Sequence, residues 1–259
     1  MQVRSAFGQV HGALSWFIRV YKTLVELSAS IERLEQFRQA IAECEKNHVH
    51  IPSGDVATTN ALTISTPDGR LLLNNVVLTF EPGSWTKLYG RSGIGKSTLL
   101  RTLTGVWPWF DGQWQSQHGK SLLLPQRAYV GQGTLRDILC YPHQADGDSY
   151  TLVQLLQDCG LAKWTASLDE NLSWEHILSG GQKQRLAIAR AIYLKPDVLW
   201  LDEATCSLDT RASHEMLALL KHRLPKCTVI AVSHQSETDR HFAQHVNLNA
   251  CLGGRNPSA

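Results

Sequence analysis

Residues 1–46 carry apolar side chains at near-heptad spacing. Phe7, Val10, Leu14, Phe17, Tyr21, Leu24, Ser28 and Ile31 form one stripe, which Leu34, Phe37 and Ile41 continue one step shifted. Gly and Pro are nearly absent after Gly12, and the charges at Arg19, Lys22, Glu26, Glu32, Arg33, Glu35 and Arg38 lie mostly off the seam. This pattern predicts a long helix with one apolar face, a coiled-coil strand or a helix packed on a neighbour. Further along, the period changes. Trp85–Tyr89, Leu122-Leu123-Leu124, Val198-Leu199-Trp200-Leu201 and Thr228–Val232 are short, nearly unbroken apolar runs. Runs of this kind read as strands buried on both faces, as in a parallel sheet. Residues 98–103 and 183–194 carry Leu, Ala and Arg spaced for helix packing. Strands alternating with helices predict an α/β fold, a mostly parallel sheet covered on both faces. Residues 47–61, with Pro52, Gly54 and Thr58-Thr59-Asn60, read as a linker, and 248–259, with Gly253-Gly254 and Pro257, as a flexible tail. The expected organisation is therefore a helix over 1–46, a linker over 47–61, one domain over 62–247 and a tail.

The ends of these runs hold the candidate chemistry. Gly90-Arg91-Ser92-Gly93-Ile94-Gly95-Lys96-Ser97 has the spacing of a P-loop and stands between a strand and a helix. Its glycines let backbone N–H groups converge on phosphate oxygens, Lys96 offers a point charge, and the Ser97 hydroxyl suits Mg²⁺. The helix that follows, with Thr98 in its first turn, adds its positive end. In Leu178-Ser179-Gly180-Gly181-Gln182, Ser179 and Gln182 form a capping-box pattern. Taken alone this is an ordinary N-cap, or an anion site at a helix start. Asp202 and Glu203 end an apolar strand, where open α/β sheets bind ligands. Asp202 suits Mg²⁺ through water, and Glu203 suits polarisation of an attacking water; the plain alternative is a solvated acidic pair. Gln126 and His234 have the same placement after their strands, Gln126 suiting contact with Mg²⁺ and the water, His234 with the γ-phosphate.

Composition narrows the field. A net charge of +2 and the absence of a basic run argue against a nucleic-acid partner. The six cysteines are scattered without Cys-x-x-Cys, which reads as reduced thiols rather than a zinc site or a disulfide framework. His241 and His245 at i, i+4 suggest one helix face, but no acidic third ligand stands at motif spacing. Arg19 and Lys22 interrupt any membrane-spanning run, and no signal-peptide pattern is present.

Taken in order, the P-loop, Gln126, the segment 178–182, Asp202-Glu203, Ser207-Leu208-Asp209 and His234 resemble an ABC-type ATPase over residues 55–245. The resemblance implies ATP as ligand with Mg²⁺ at Ser97, Gln126 and Asp202. It implies Glu203 as general base, His234 as switch histidine and Asp209 as the residue coupling two copies. It implies a head-to-tail dimer in which the P-loop of one copy and the 178–182 segment of the other enclose each ATP. An antiparallel sheet near 60–85 and a helical subdomain near 135–180 are further implications. Thr66-Pro67-Asp68-Gly69, Gly105-Val106-Trp107-Pro108, Pro125-Gln126-Arg127, Gly133-Thr134-Leu135-Arg136-Asp137 and Tyr141-Pro142 together resemble the fused permease–ATPase half-transporters that include the peroxisomal fatty-acyl importers and their bacterial relatives. Residues 1–46 are similar to the end of the last membrane helix and the connection that follows it there. This implies a permease partner and a place on the cytoplasmic face of the cell membrane. The alternative, a soluble ABC-type ATPase acting on nucleic acid or ribosomes, is disfavoured by the single P-loop and the short path from Lys96 to Ser179. Departures are Thr66, where the family usually has an aromatic for adenine, Cys206 for Ser, Ser207 for Ala, and Arg91 in the loop.

Overall fold

The computed structural model describes residues 2–46, 52–143 and 147–251. The chain divides into two units, 1–49 and 50–259. The first is a single helix, α1 (Gln2–Lys46). Its described apolar positions Tyr21, Leu24, Ile31, Leu34, Phe37 and Ile41 are exposed. The side chains of Phe7, Val10, Leu14 and Phe17 lie outside the described residues. Among the described residues, no helix is long and apolar enough to cross a membrane.

The second unit contains two sheets. One has β1 (Ser53–Gly54), β2 (Ala57–Ser65), β3 (Leu71–Phe80) and β5 (Phe110–Gln117) in the order β1-β5-β2-β3. Its pairs β2–β3 and β2–β5 are antiparallel, and β1–β5 is parallel. Two of these strands begin inside the stretch expected to be a linker. Alternation explains β2: Ala57, Thr59, Leu62 and Ile64 face inward, and the Thr59 hydroxyl is satisfied by Val76 O at 2.9 Å. The polar Thr-Thr-Asn run hides that alternation in the sequence.

The other sheet has β4 (Trp85–Tyr89), β6 (Ser121–Leu124), β7 (Val198–Asp202), β8 (Thr228–Val232) and β9 (Gln244–Asn247), in the order β6-β7-β8-β4-β9. Every pair in it is parallel. β7 and β8 are buried at all their positions, as their unbroken apolar runs demand. Between the sheets, Phe80 meets Trp200 edge to face with ring centroids 6.1 Å apart, a contact contributing about 0.5–1.5 kcal/mol beyond area burial. Trp200 Nε1 donates to Ser121 Oγ at 2.8 Å, so its one polar atom is satisfied in the core.

Helices α2 (Lys96–Leu103), α3 (Leu135–Cys140), α4 (Ser149–Asp158), α5 (Trp174–Ile177), α6 (Gly180–Leu194) and α7 (Thr210–Arg223) complete the unit, with 3₁₀ turns at Ala162–Ser167, Ser236–His241 and Leu248–Cys251. The helical stretch from α3 to α5 occupies the span expected for a helical subdomain. Trp164 and Trp174 pack edge to face there, with centroids 5.5 Å apart. The stretch expected to be a tail opens on the 3₁₀ turn Leu248–Cys251, and residues 252–259 lie outside the described residues. His241 ends a 3₁₀ turn and His245 sits in β9, so they share no helix face. His241 Nε2 instead lies 2.9 Å from His214 Nδ1. The Cys159 and Cys227 thiols are buried and pushed up to about 12, so they stay protonated at neutral pH.

Candidate nucleotide site

All five parallel strands point their C-terminal ends at one edge, and each end carries a candidate group. β4 leads into the P-loop, β6 into Gln126, β7 into Asp202 and Glu203, β8 into His234, and β9 into Asn249.

The P-loop runs from Gly90 to Ser97. Gly93 at φ 74° and Gly95 at φ 104° stand in the left-handed region, which a side chain rarely adopts. A side chain at Gly95 would also press on Leu72 Cβ at 3.3 Å. Arg91, Ser92 and Gly93 are exposed, whereas Ile94 is buried and anchors the loop. Lys96 is buried, with its Nζ donating to Gly90 O and Arg91 O, each at 3.0 Å. Burial pulls its ammonium below the ordinary lysine range, and the nearby Glu203 and Asp202 carboxylates oppose that pull. Thr98 continues the first turn of α2, its carbonyl accepting from the Thr102 hydroxyl at 3.0 Å.

Ser97 Oγ donates to Asp202 Oδ1 at 2.7 Å. The Ser97 hydroxyl, the Asp202 carboxylate and the Gln126 amide carry oxygen donors of the kind that could hold Mg²⁺. Glu203 has φ 50°, an unusual conformation for a non-glycine residue, costing about 1–3 kcal/mol. The backbone there is pinned by Glu203 N donating to Val232 O at 2.9 Å. The carboxylate faces two partners. Gln126 Nε2 donates to Oε2 at 2.8 Å, and His234 Nε2 lies 3.4 Å from Oε1. Lys96, Ser97, Asp202, Glu203, Gln126 and His234 thus converge on one edge, although residues 96 to 234 separate them in sequence.

The 178–182 segment forms a different surface. Ser179 caps α6 with both bonds of a capping box: Ser179 N donates to Gln182 Oε1 at 3.0 Å, and Gln182 N to Ser179 Oγ at 3.3 Å. Leu178 is buried, while Gly180 and Gly181 are packed beside Ser207. A Cβ on Gly181 would stand 3.1 Å from Ser207 O, a tight fit that would push the Ser207 backbone by a few tenths of an ångström. Among the described residues no hydrogen bond joins this segment to the P-loop. Asp209 is the N-cap of α7, its Oδ1 accepting from Ala212 N at 2.7 Å.

Asn249 escaped sequence reading because it lies in the presumed tail. Its Oδ1 accepts from Arg91 N at 3.0 Å, bracing the first turn of the P-loop from outside. A cleft of about 600 Å³ lies there, lined by Lys87, Tyr89, Arg91, His234 and Asn249 among others. The only sequence signal was a short β9 with Val246 as its one strongly apolar residue. At the other candidate, Thr66, the hydroxyl braces a turn by accepting from Arg70 N and donating to Arg70 O, both at 3.1 Å.

Comparison with known proteins agrees with this arrangement. The profile of the family described as ABC transporter matches residues 73–206. The inner membrane ABC transporter ATP-binding protein YddA of Escherichia coli (strain K12) is 38% identical over 235 residues, 91% of this chain and 42% of that protein. The human ATP-binding cassette sub-family D member 3 is 30% identical over 72% of this chain and 29% of its own length. The chain spans about two fifths of the length of the first curated relatives it matches. A bacterial Atm1-family ABC exporter with ATP bound superposes with a TM-score of 0.66 at 24% identity, covering 79% of this chain and 40% of that one, a likeness of fold. With more than half of its length matched by the family profile, and the P-loop, Gln126 and Asp202-Glu203 of that span gathered on one sheet edge, the chain belongs to the ABC transporter family.

Proposed function

We propose that this chain is the ATP-binding and ATP-hydrolysing part of an ABC transporter, with residues 62–247 as the ATP-binding domain. The observation that carries the reading is the Glu203 carboxylate, held by Gln126 and His234 on the same edge as the Ser97–Asp202 pair. Backbone N–H groups of the P-loop and the N-terminus of α2 receive the phosphates, and Lys96 exchanges its loop carbonyls for phosphate oxygens. Ser97, Asp202 and Gln126 would hold Mg²⁺, which would neutralise charge on the β- and γ-phosphates. Glu203 accepts the proton of the attacking water. Gln126 orients that carboxylate, and His234 contacts the terminal phosphate and steadies the other carboxylate oxygen.

Leu178, Ser179, Gly180, Gly181 and Gln182 make no hydrogen bond to the P-loop of their own chain, which supports a second copy as the one they serve. That reading gives a head-to-tail dimer, with Asp209 on the loop that meets the partner. Residues 1–46 would connect the ATPase to a membrane-embedded permease at the cytoplasmic face of the cell membrane. The exposed apolar stripe of α1 supports that connection.

The test is ATP turnover by the purified chain with Mg²⁺. Glu203→Gln is expected to retain ATP binding, accumulate a nucleotide-dependent dimer and lose hydrolysis by about 10²–10⁴-fold. Undiminished turnover in Glu203→Gln removes that residue as the base. No ATP binding by the unaltered chain overturns the reading.

A further inference from the structure

Helix α6, which opens on the 178–182 segment, carries a buried amide with no role assigned so far. Gln184 is 2% exposed and sits two residues beyond Gln182. Its Oε1 accepts from Ser207 N at 2.9 Å. Its Nε2 donates to Cys206 Sγ at 3.2 Å and, at a longer 3.4 Å, to Gln126 O. The orientation of the amide is fixed by chemistry, because Ser207 N can only donate and Gln126 O can only accept. One side chain therefore touches three pieces of the site: its own helix, the loop after Glu203 and the backbone of Gln126. Gln126 in turn holds Glu203 Oε2 through its side chain at 2.8 Å. The packing of Gly180 and Gly181 against Ser207 reinforces the same joint.

We propose that Gln184 is a positioning residue that locks α6 to the Gln126 and Cys206-Ser207 loops, so that displacement of the helix is transmitted to the hydrolytic carboxylate. This rests on the ATPase reading above. The route is a contiguous chain of hydrogen bonds from a buried amide. A partner nucleotide pressing on the start of α6 shifts Gln184, and with it the backbone that aims Gln126 at Glu203. Gln184 touches no reacting atom and contributes nothing to nucleotide binding in one copy.

The experiment compares steady-state ATP hydrolysis of the full chain with Gln184→Leu, Gln126→Ala and the double variant. Gln184→Leu is expected to lower kcat about tenfold and leave KM within about twofold. In the Gln126→Ala background the same change should cost less than about twofold, because the two residues act in series. An unchanged kcat, or a full tenfold loss in the Gln126→Ala background, overturns the inference. Should thermal unfolding show that Gln184→Leu does not fold, Gln184→Glu serves instead. It keeps the acceptor for Ser207 N but regains a donor toward Gln126 O only when its buried carboxyl is protonated. Its activity relative to the unaltered chain should rise as pH falls; a pH-independent ratio overturns the inference. An unaltered chain that hydrolyses no ATP overturns the ATPase reading and this inference with it, whereas an active chain with independent losses overturns this inference alone.

Discussion

Gln126 and Glu203 are 77 residues apart in sequence, yet Gln126 Nε2 donates to Glu203 Oε2 at 2.8 Å. The bond spans the ends of the neighbouring strands β6 and β7. It fixes one carboxylate oxygen while His234 stands 3.4 Å from the other. Truncating Gln126 to Ala frees the carboxylate to rotate. Hydrolysis is expected to fall by about 10–100-fold, since misplacement of a reacting group by one ångström has this effect. Turnover kinetics beside equilibrium nucleotide binding checks it.

Asn249 should matter more for binding than for chemistry. Asn249→Ala removes the acceptor of Arg91 N and loosens the first turn of the P-loop, at a cost of about 1 kcal/mol. ATP affinity is expected to weaken about fivefold, while the kcat of saturated protein stays within about twofold. Titration with a fluorescent nucleotide analogue separates the two. A drop confined to kcat would contradict this assignment.

The histidine pair on α7 and the Ser236–His241 turn gives a pH signature. His214 Nδ1 and His241 Nε2 lie 2.9 Å apart, so one nitrogen must carry a proton and the other a lone pair. Burial first, then His214, Arg240 and Lys221, pull the His241 pKa below its ordinary 6.5. Below 6.5 the unfolded chain then binds more protons than the folded one, so stability falls as pH drops through that value. Urea midpoints measured across this window should decline, and His241→Gln should flatten the decline. The lowered carboxyls of Asp137, Asp148 and Asp169 act in a separate window, below 3.8.

By its spacing from the P-loop, Thr66 stands where the resemblance expects an adenine-stacking ring, and its hydroxyl is spent on a turn. ATP and GTP are therefore expected to compete within about threefold of each other. Thr66→Tyr should improve ATP over inorganic triphosphate by about three- to tenfold, the worth of one aromatic stack. Competition titrations on both proteins decide this; equal affinities in the two would show that the base does not reach residue 66.

The sheet that builds the site was legible because its strands are buried on both faces, and a run such as Val198-Leu199-Trp200-Leu201 has few other uses. The candidate residues were legible because glycine, lysine, carboxylate and histidine stood at the ends of such runs. β2 and Asn249 were not legible, for different reasons. β2 buries Thr59 by giving its hydroxyl a backbone partner, so a polar residue faces inward and the alternation disappears from the sequence. Asn249 acts through a contact 158 residues distant in sequence, from a segment whose composition says only that it is not core. Gln184 was invisible for a third reason: on a helix rich in polar residues, nothing local marks which amide points inward.

Lys96 binds the loop that it belongs to. With Nζ seated on the Gly90 and Arg91 carbonyls, the ammonium ties the start of the P-loop to the start of α2. On the proposed function, phosphate oxygens would replace those two carbonyls around the same cation. Triphosphate binding at this loop is therefore expected to start from a backbone already tied in place and to depend only weakly on temperature.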